Sequence, residues 1–118
     1  MRDDRARIAD ILEAVASIER YTSAGPEQFR ADELVQVWVV HHLRIIGEAG
    51  RLLSPEARAR CPGVPWTSVV GMRHILVHQY FGIDLEVVWR VVEEYLPALK
   101  AVLLPLATDP DSGGPGPE

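Results

Sequence analysis

A chain of 118 residues has room for one domain, burying roughly two-thirds of the surface its unfolded form exposes. With 47% apolar and 25% charged residues it reads as a globular protein, with no apolar run of the ~18 residues a membrane span needs and no signal-peptide core, hence cytoplasmic. The lone Cys61 excludes an internal disulfide and a cysteine-based zinc site, and the net charge of −5 argues against coating nucleic acid through a broad basic surface, though not against a small site for a few phosphates.

From Asp3 to Tyr21, the residues Ile8, Ile11, Leu12, Val15 and Ile18 recur at helical steps, and Thr22 to Pro26 breaks the pattern. A second, longer helix is predicted from about Glu27 to Leu53. It carries two apolar stripes, one of Leu34, Trp38, Ile45 and Leu52, the other of Val35, Val39, Leu43 and Ile46. A helix apolar around most of its girth needs more than one cover, and in so small a domain the second is expected to be another subunit. Gly47 and Gly50 weaken this helix by roughly 1 kcal/mol each relative to alanine, which points to close backbone packing. On the same helix, Glu48 is spaced to pair with Arg44 and Arg51, and His41 and His42 read as surface or interface residues.

Ser54-Pro55-Glu56 has the form of an N-cap and first helical turn, for a short helix to about Arg60, and Cys61 to Pro65 reads as a loop. A third main helix follows, capped by Thr67 or Ser68. Phe81-Gly82 should end it, and Asp84 should cap the fourth. There Leu85, Val88, Trp89, Val92 and Leu96 form a buried stripe, and Pro97 should kink the helix without ending it. Trp38, Trp66 and Trp89 are assigned to the core. The expected fold is all-α: an up-and-down bundle of four main helices plus a short helix over residues 1–107, dimeric, with residues 108–118 a disordered tail.

The chemistry concentrates in the third helix. Arg73-His74-Ile75-Leu76-Val77-His78-Gln79-Tyr80 places an arginine, two histidines and a tyrosine around an apolar spacer, so it is either an internal polar network or a site. His74 and His78, four residues apart, could also hold a metal, but no third ligand is near in sequence. The set Arg73-x4-His78-x-Tyr80, with Ile46-Gly47-Glu48-Ala49, Val64-Pro65-Trp66, Gly71-Met72, Val88-Trp89 and Leu96-Pro97 in order around it, resembles the HepT-like toxin branch of the HEPN ribonuclease superfamily. The likeness spans roughly residues 5 to 105. Many members of that branch have asparagine directly after the arginine, where this chain has His74.

The resemblance implies a homodimer with its active site at the dimer seam, cleaving RNA without a metal or cofactor. It also implies a toxin neutralised by a cognate minimal nucleotidyltransferase antitoxin, which can transfer AMP to the signature tyrosine, here Tyr80. Arg73 and His78 are then the catalytic residues, with His74 and Tyr80 supporting the site. The chemistry is consistent with those residue types. A base removes the proton of the 2′-hydroxyl, the oxygen attacks the adjacent phosphorus, and an acid protonates the departing 5′-oxygen. Imidazole titrates near neutrality and suits both proton transfers, and arginine's fork fits a phosphate. On an ideal helix Arg73 and His78 stand about 140° apart, so Arg73 is expected to reach the partner's catalytic histidine in preference to its own. The competing reading is a non-catalytic helical dimer that binds nucleotide or a nucleotidyltransferase.

Overall fold

Every regular element among the described residues is a helix. The computed structural model describes residues 2–78 and 84–108. Helix α1 (Arg2–Tyr21) packs on α3 (Glu33–Leu52) and on α7 (Leu96–Thr108), and α3 packs in turn on α5 (Trp66–His78). Short helices α2 (Pro26–Ala31) and α4 (Pro55–Ala59) sit at the two ends of α3, and α6 (Leu85–Arg90) precedes α7. The four-main-helix bundle is therefore present. The expected ends of α5 at Phe81-Gly82 and the tail beyond residue 108 lie outside the described residues.

The core follows the helical period. Ile11, Val15 and Ile18 of α1, Val39, Leu43 and Ile46 of α3, and Leu96 and Leu103 of α7 are almost wholly enclosed. The long helix expected from Glu27 is broken at Asp32, whose backbone is extended (φ −114°, ψ 103°). Its carboxylate accepts from the N–H groups of Leu34 (3.0 Å) and Val35 (3.2 Å), starting α3. The Gln36 side chain donates to the carbonyls of Phe29 and Arg30 at the end of α2. The Phe29 and Arg30 carbonyls before the break and the Leu34 and Val35 N–H groups after it are thus satisfied, and the bend lets Phe29 enter the core against Trp89, ring centroids 5.4 Å apart. Gly25, which precedes α2, has φ 99°, a conformation that only glycine adopts without strain.

Two further expectations change in detail. Helix α5 begins one residue earlier than its expected caps, at Trp66, so Thr67 and Ser68 lie inside its first turn. The Trp66 indole N–H points back instead, shared between the carbonyls of Arg58 and Cys61 (both 3.2 Å), and so ties the preceding loop down. The effect of Pro97 is taken up just upstream, where Val91–Tyr95 forms a π-helical turn whose last bond runs from Leu96 N–H to the Val91 carbonyl. The next donor in that ladder would be residue 97, and proline has none, so the wide turn stops there and α7 continues. Asp84 caps α6 as expected, accepting from Glu86 and Val87 N–H.

One buried carboxylate joins the start of α1 to the turn between α3 and α4. Asp4, only 4% exposed, accepts from Ser54 N–H (2.8 Å) and from Ser54 Oγ–H (2.6 Å). Ser54 Oγ in turn accepts from Ala57 N–H, capping α4. Asp4→Ala leaves those donors without their acceptor, so stability should fall by about 1.5–3 kcal/mol, the range for hydrogen bonds to a charged group. A urea titration read by helical circular dichroism checks this; an unchanged midpoint would show that water replaces the carboxylate without loss.

Candidate active site

Arg73 is placed by two successive residues of α3. Gly47 brings the two helix backbones together: a Cβ built at this position would stand 2.9 Å from Arg73 N and 3.2 Å from the Val69 carbonyl oxygen. Any side chain here would push α5 away, so the close packing expected of this glycine is its use. Glu48 follows and grips the arginine's side chain, with Oε1 2.9 Å from Arg73 Nε. That Nε is sealed from solvent, and its N–H is not aimed at the carboxylate well enough to count as a hydrogen bond. The contact is an ion pair at close range.

Both oxygens of the same carboxylate are also held by Arg51, whose Nη2 donates to Oε2 at 2.6 Å and whose Nε donates to Oε1 at 3.3 Å. The Arg51 hydrogen bond, with the nearby charges of Arg51, Arg73 and Arg7, holds the Glu48 carboxyl below its usual pKa. Glu48 therefore carries its charge throughout the neutral range. Of the two pairings expected within α3, only that with Arg51 forms. Arg44 has no carboxylate partner among the described residues and instead lines an open cleft of about 290 Å³ with His41, Ile45, Glu48 and Arg73. Two arginines facing one carboxylate give the cleft a cationic balance, suited to a phosphate inside an otherwise acidic protein.

Beside the cleft lies a ring cluster that the sequence did not single out. Trp38 stacks on His41 (centroids 5.3 Å, planes 20° apart) and meets His42 and Tyr21 edge-on. His42 is buried, not on the surface; its Nδ1–H donates to the Trp38 carbonyl at 2.8 Å. Trp38 is not core, for it is 41% exposed, and Leu34 (82%) and Leu52 (40%) are open with it. The stripe Val39, Leu43 and Ile46 faces the core while the stripe of Leu34, Trp38 and Leu52 does not. The two-sided character of the helix is real, and one side is uncovered in the single chain.

Of the sequence-predicted site residues, Arg73 is the one whose surroundings are described. His74 and His78 belong to the continuous helix α5, but their side chains lie outside the described residues, as does Tyr80 altogether. Among the described residues no group of three or more histidine, cysteine or acidic side chains could hold a metal. No helix of the described residues is long and apolar enough to cross a membrane. Burial raises the pKa of the Cys61 thiol, which disfavours the thiolate that a nucleophile requires.

Known proteins resemble this chain over the same helices. The family model described as "Ribonuclease HepT-like" matches residues 11–106. A "Putative RNase" of Methanocaldococcus jannaschii is 38% identical over 100 residues, covering 84% of this chain and 92% of that one. A "Probable ribonuclease HepT" of Thermococcus cleftensis is 37% identical over 100 residues, covering 84% of this chain and 91% of that one. A "Putative RNase" of Caldanaerobacter subterraneus is 35% identical over 101 residues, 85% of this chain and 90% of the relative. No solved structure matches. The matched span contains α3, with Gly47 and Glu48, and all of α5, with Arg73 and His78; on that evidence the chain belongs to the ribonuclease HepT-like family.

Proposed function

We propose that this protein is a metal-independent endoribonuclease that acts as a homodimer, the toxin of a toxin–antitoxin pair. The observation that carries the reading is Arg73, fixed by Glu48 at the wall of an open cationic cleft, five residues before His78 on one unbroken helix. In this mechanism the Arg73 guanidinium holds the scissile phosphate and offsets the charge that grows on its oxygens. One His78 imidazole takes the 2′-hydroxyl proton, and the partner's copy protonates the 5′-oxygen as it leaves. The products are a 2′,3′-cyclic phosphate end and a free 5′-hydroxyl.

Two copies of the chain supply the two imidazoles, and the uncovered stripe of Leu34, Trp38 and Leu52 supports such a dimer, since apolar surface next to a cleft is stabilised by a second copy. Tyr80, two residues beyond His78, is the proposed acceptor for AMP from the cognate nucleotidyltransferase. Its phenol oxygen would attack the α-phosphorus of ATP and release pyrophosphate. The added phosphodiester would compete with RNA for Arg73, a local charge change of the kind by which modifications act.

The test is incubation of purified protein with single-stranded RNA in excess EDTA, with product ends read by mass spectrometry. Cleavage that persists and leaves cyclic phosphate ends is the expected result. Cleavage abolished by EDTA would point to a metal at His74 and His78, and no cleavage at all would leave the non-catalytic dimer as the better reading.

A further inference from the structure

The Glu48 carboxylate has two arginine partners and one position on the helix from which both can be reached. Its hold on Arg51 is an ordinary pair three residues along α3, between two exposed groups, and such pairs add little stability. Its hold on Arg73 is different in kind. It crosses between helices at the point where Gly47 allows the closest backbone approach, and it engages the guanidinium at Nε, the inner edge. No described residue engages the outer nitrogens, which are the pair that presents a fork to a phosphate. A carboxylate that bound those outer nitrogens would block the substrate; one bound at Nε turns the fork outward and leaves it open. Arg51, which donates to both oxygens of the carboxylate, restrains Glu48 from swinging toward them.

We infer that Glu48 is the positioning residue of the site, setting the orientation of the Arg73 guanidinium by binding its inner edge while Arg51 holds the carboxylate in place. This rests on the proposed role of Arg73 as the phosphate clamp. An arginine side chain has four rotatable bonds, and a fork that wanders by about 1 Å can cost up to about 10²-fold in rate. Glu48 does not touch the reacting atoms and acts through Arg73 alone.

The charge of Glu48 makes the test decisive, because positioning and simple electrostatics predict opposite outcomes. Glu48→Gln removes a negative charge from a phosphate-binding cleft. If the carboxylate only opposed RNA, the variant would bind RNA more tightly and cut it at least as fast. If it positions Arg73, kcat should fall by about 10- to 100-fold while KM stays level or drops. The second measurement is the double variant with Arg73→Ala, which should be no slower than Arg73→Ala alone, since both changes disable one device. A third readout needs no catalysis: the Nε–H resonance of Arg73 in 15N–1H NMR spectra should be protected from exchange in the wild type and lose that protection in Glu48→Gln. An inactive wild type with a protected Nε–H would reject the ribonuclease reading and keep the positioning contact. Raised or unchanged kcat, a further additive loss in the double variant, or an Nε–H indifferent to the substitution would each overturn the inference.

Discussion

Replacing His78 with alanine is expected to slow RNA cleavage by about 10²–10⁴-fold, the usual loss for a general acid or base. Alanine is the strongest helix former, so α5 itself should persist and the loss should not come from unfolding. Arg73→Ala should be slowed to a similar degree, because in the proposed mechanism it removes the fixed charge opposite the phosphorane oxygens. The two inactive variants then become informative together. Helix α5 runs without a break from Trp66 to His78, which keeps residues 73 and 78 about 140° apart around its axis. In the proposed dimer one protomer's arginine is therefore expected to work with the partner's histidine. A mixed dimer of the two variants keeps one Arg73 and one His78, so it lacks the second imidazole that the two proton transfers require. Unfolding and refolding an equimolar mixture should therefore leave cleavage close to that of the separate variants. Recovery of about a quarter of wild-type activity, the yield if half the dimers are mixed and each keeps one of two complete sites, would show that a single His78 serves each Arg73 and would reject the two-imidazole mechanism.

What could be read from the sequence divides along the range of the interactions. Stripes such as Ile11, Val15 and Ile18 report burial directly, since the helical period converts position into face, and they are enclosed as expected. The caps at Ser54 and Asp84 are local and were equally legible. Asp32 was not, because the apolar pattern runs across it, and the break depends on Gln36 reaching back to the carbonyls of Phe29 and Arg30. The same limit applies to the site. Arg73 stands out in the chain by its company, but Glu48 looks like one more surface carboxylate with arginines three and four residues away. Its tie to Arg73 spans 25 positions and exists only because Gly47 lets the helices touch. Trp38 departs from its expected place in the core for a related reason: tryptophan is buried on average, and its exposure here follows from which of two apolar stripes the rest of the bundle covers.

Gly47 is expected to be the least tolerant position of α3. In Gly47→Ala the new Cβ meets backbone, with Arg73 N at 2.9 Å and Val69 O at 3.2 Å, so relief requires the two helices to part. Alanine gains about 1 kcal/mol of helix propensity over glycine, and this offsets part of an overpacking cost of about 1–3 kcal/mol. The variant should thus fold with a modest loss of stability, while Arg73 moves with α5 away from Glu48 and cleavage falls by about 10-fold or more. Gly47→Val has a smaller offset, since a β-branched residue is a poorer helix former than alanine, and it brings two more methyl groups to the same contact. It should lose about 3 kcal/mol or more, enough to show as a large drop in melting temperature. Gly50 provides the comparison within the same helix. A Cβ there meets only side-chain atoms, the nearest being Val69 Cγ1 at 3.3 Å and Val70 Cγ2 at 3.7 Å, which can shift by a few tenths of an ångström. Gly50→Ala should therefore be neutral or slightly stabilising and should leave cleavage intact. Thermal melts and RNA cleavage rates for the three variants decide the matter: if Gly47→Ala matched Gly50→Ala in both, close backbone contact at Arg73 would not be what places the arginine.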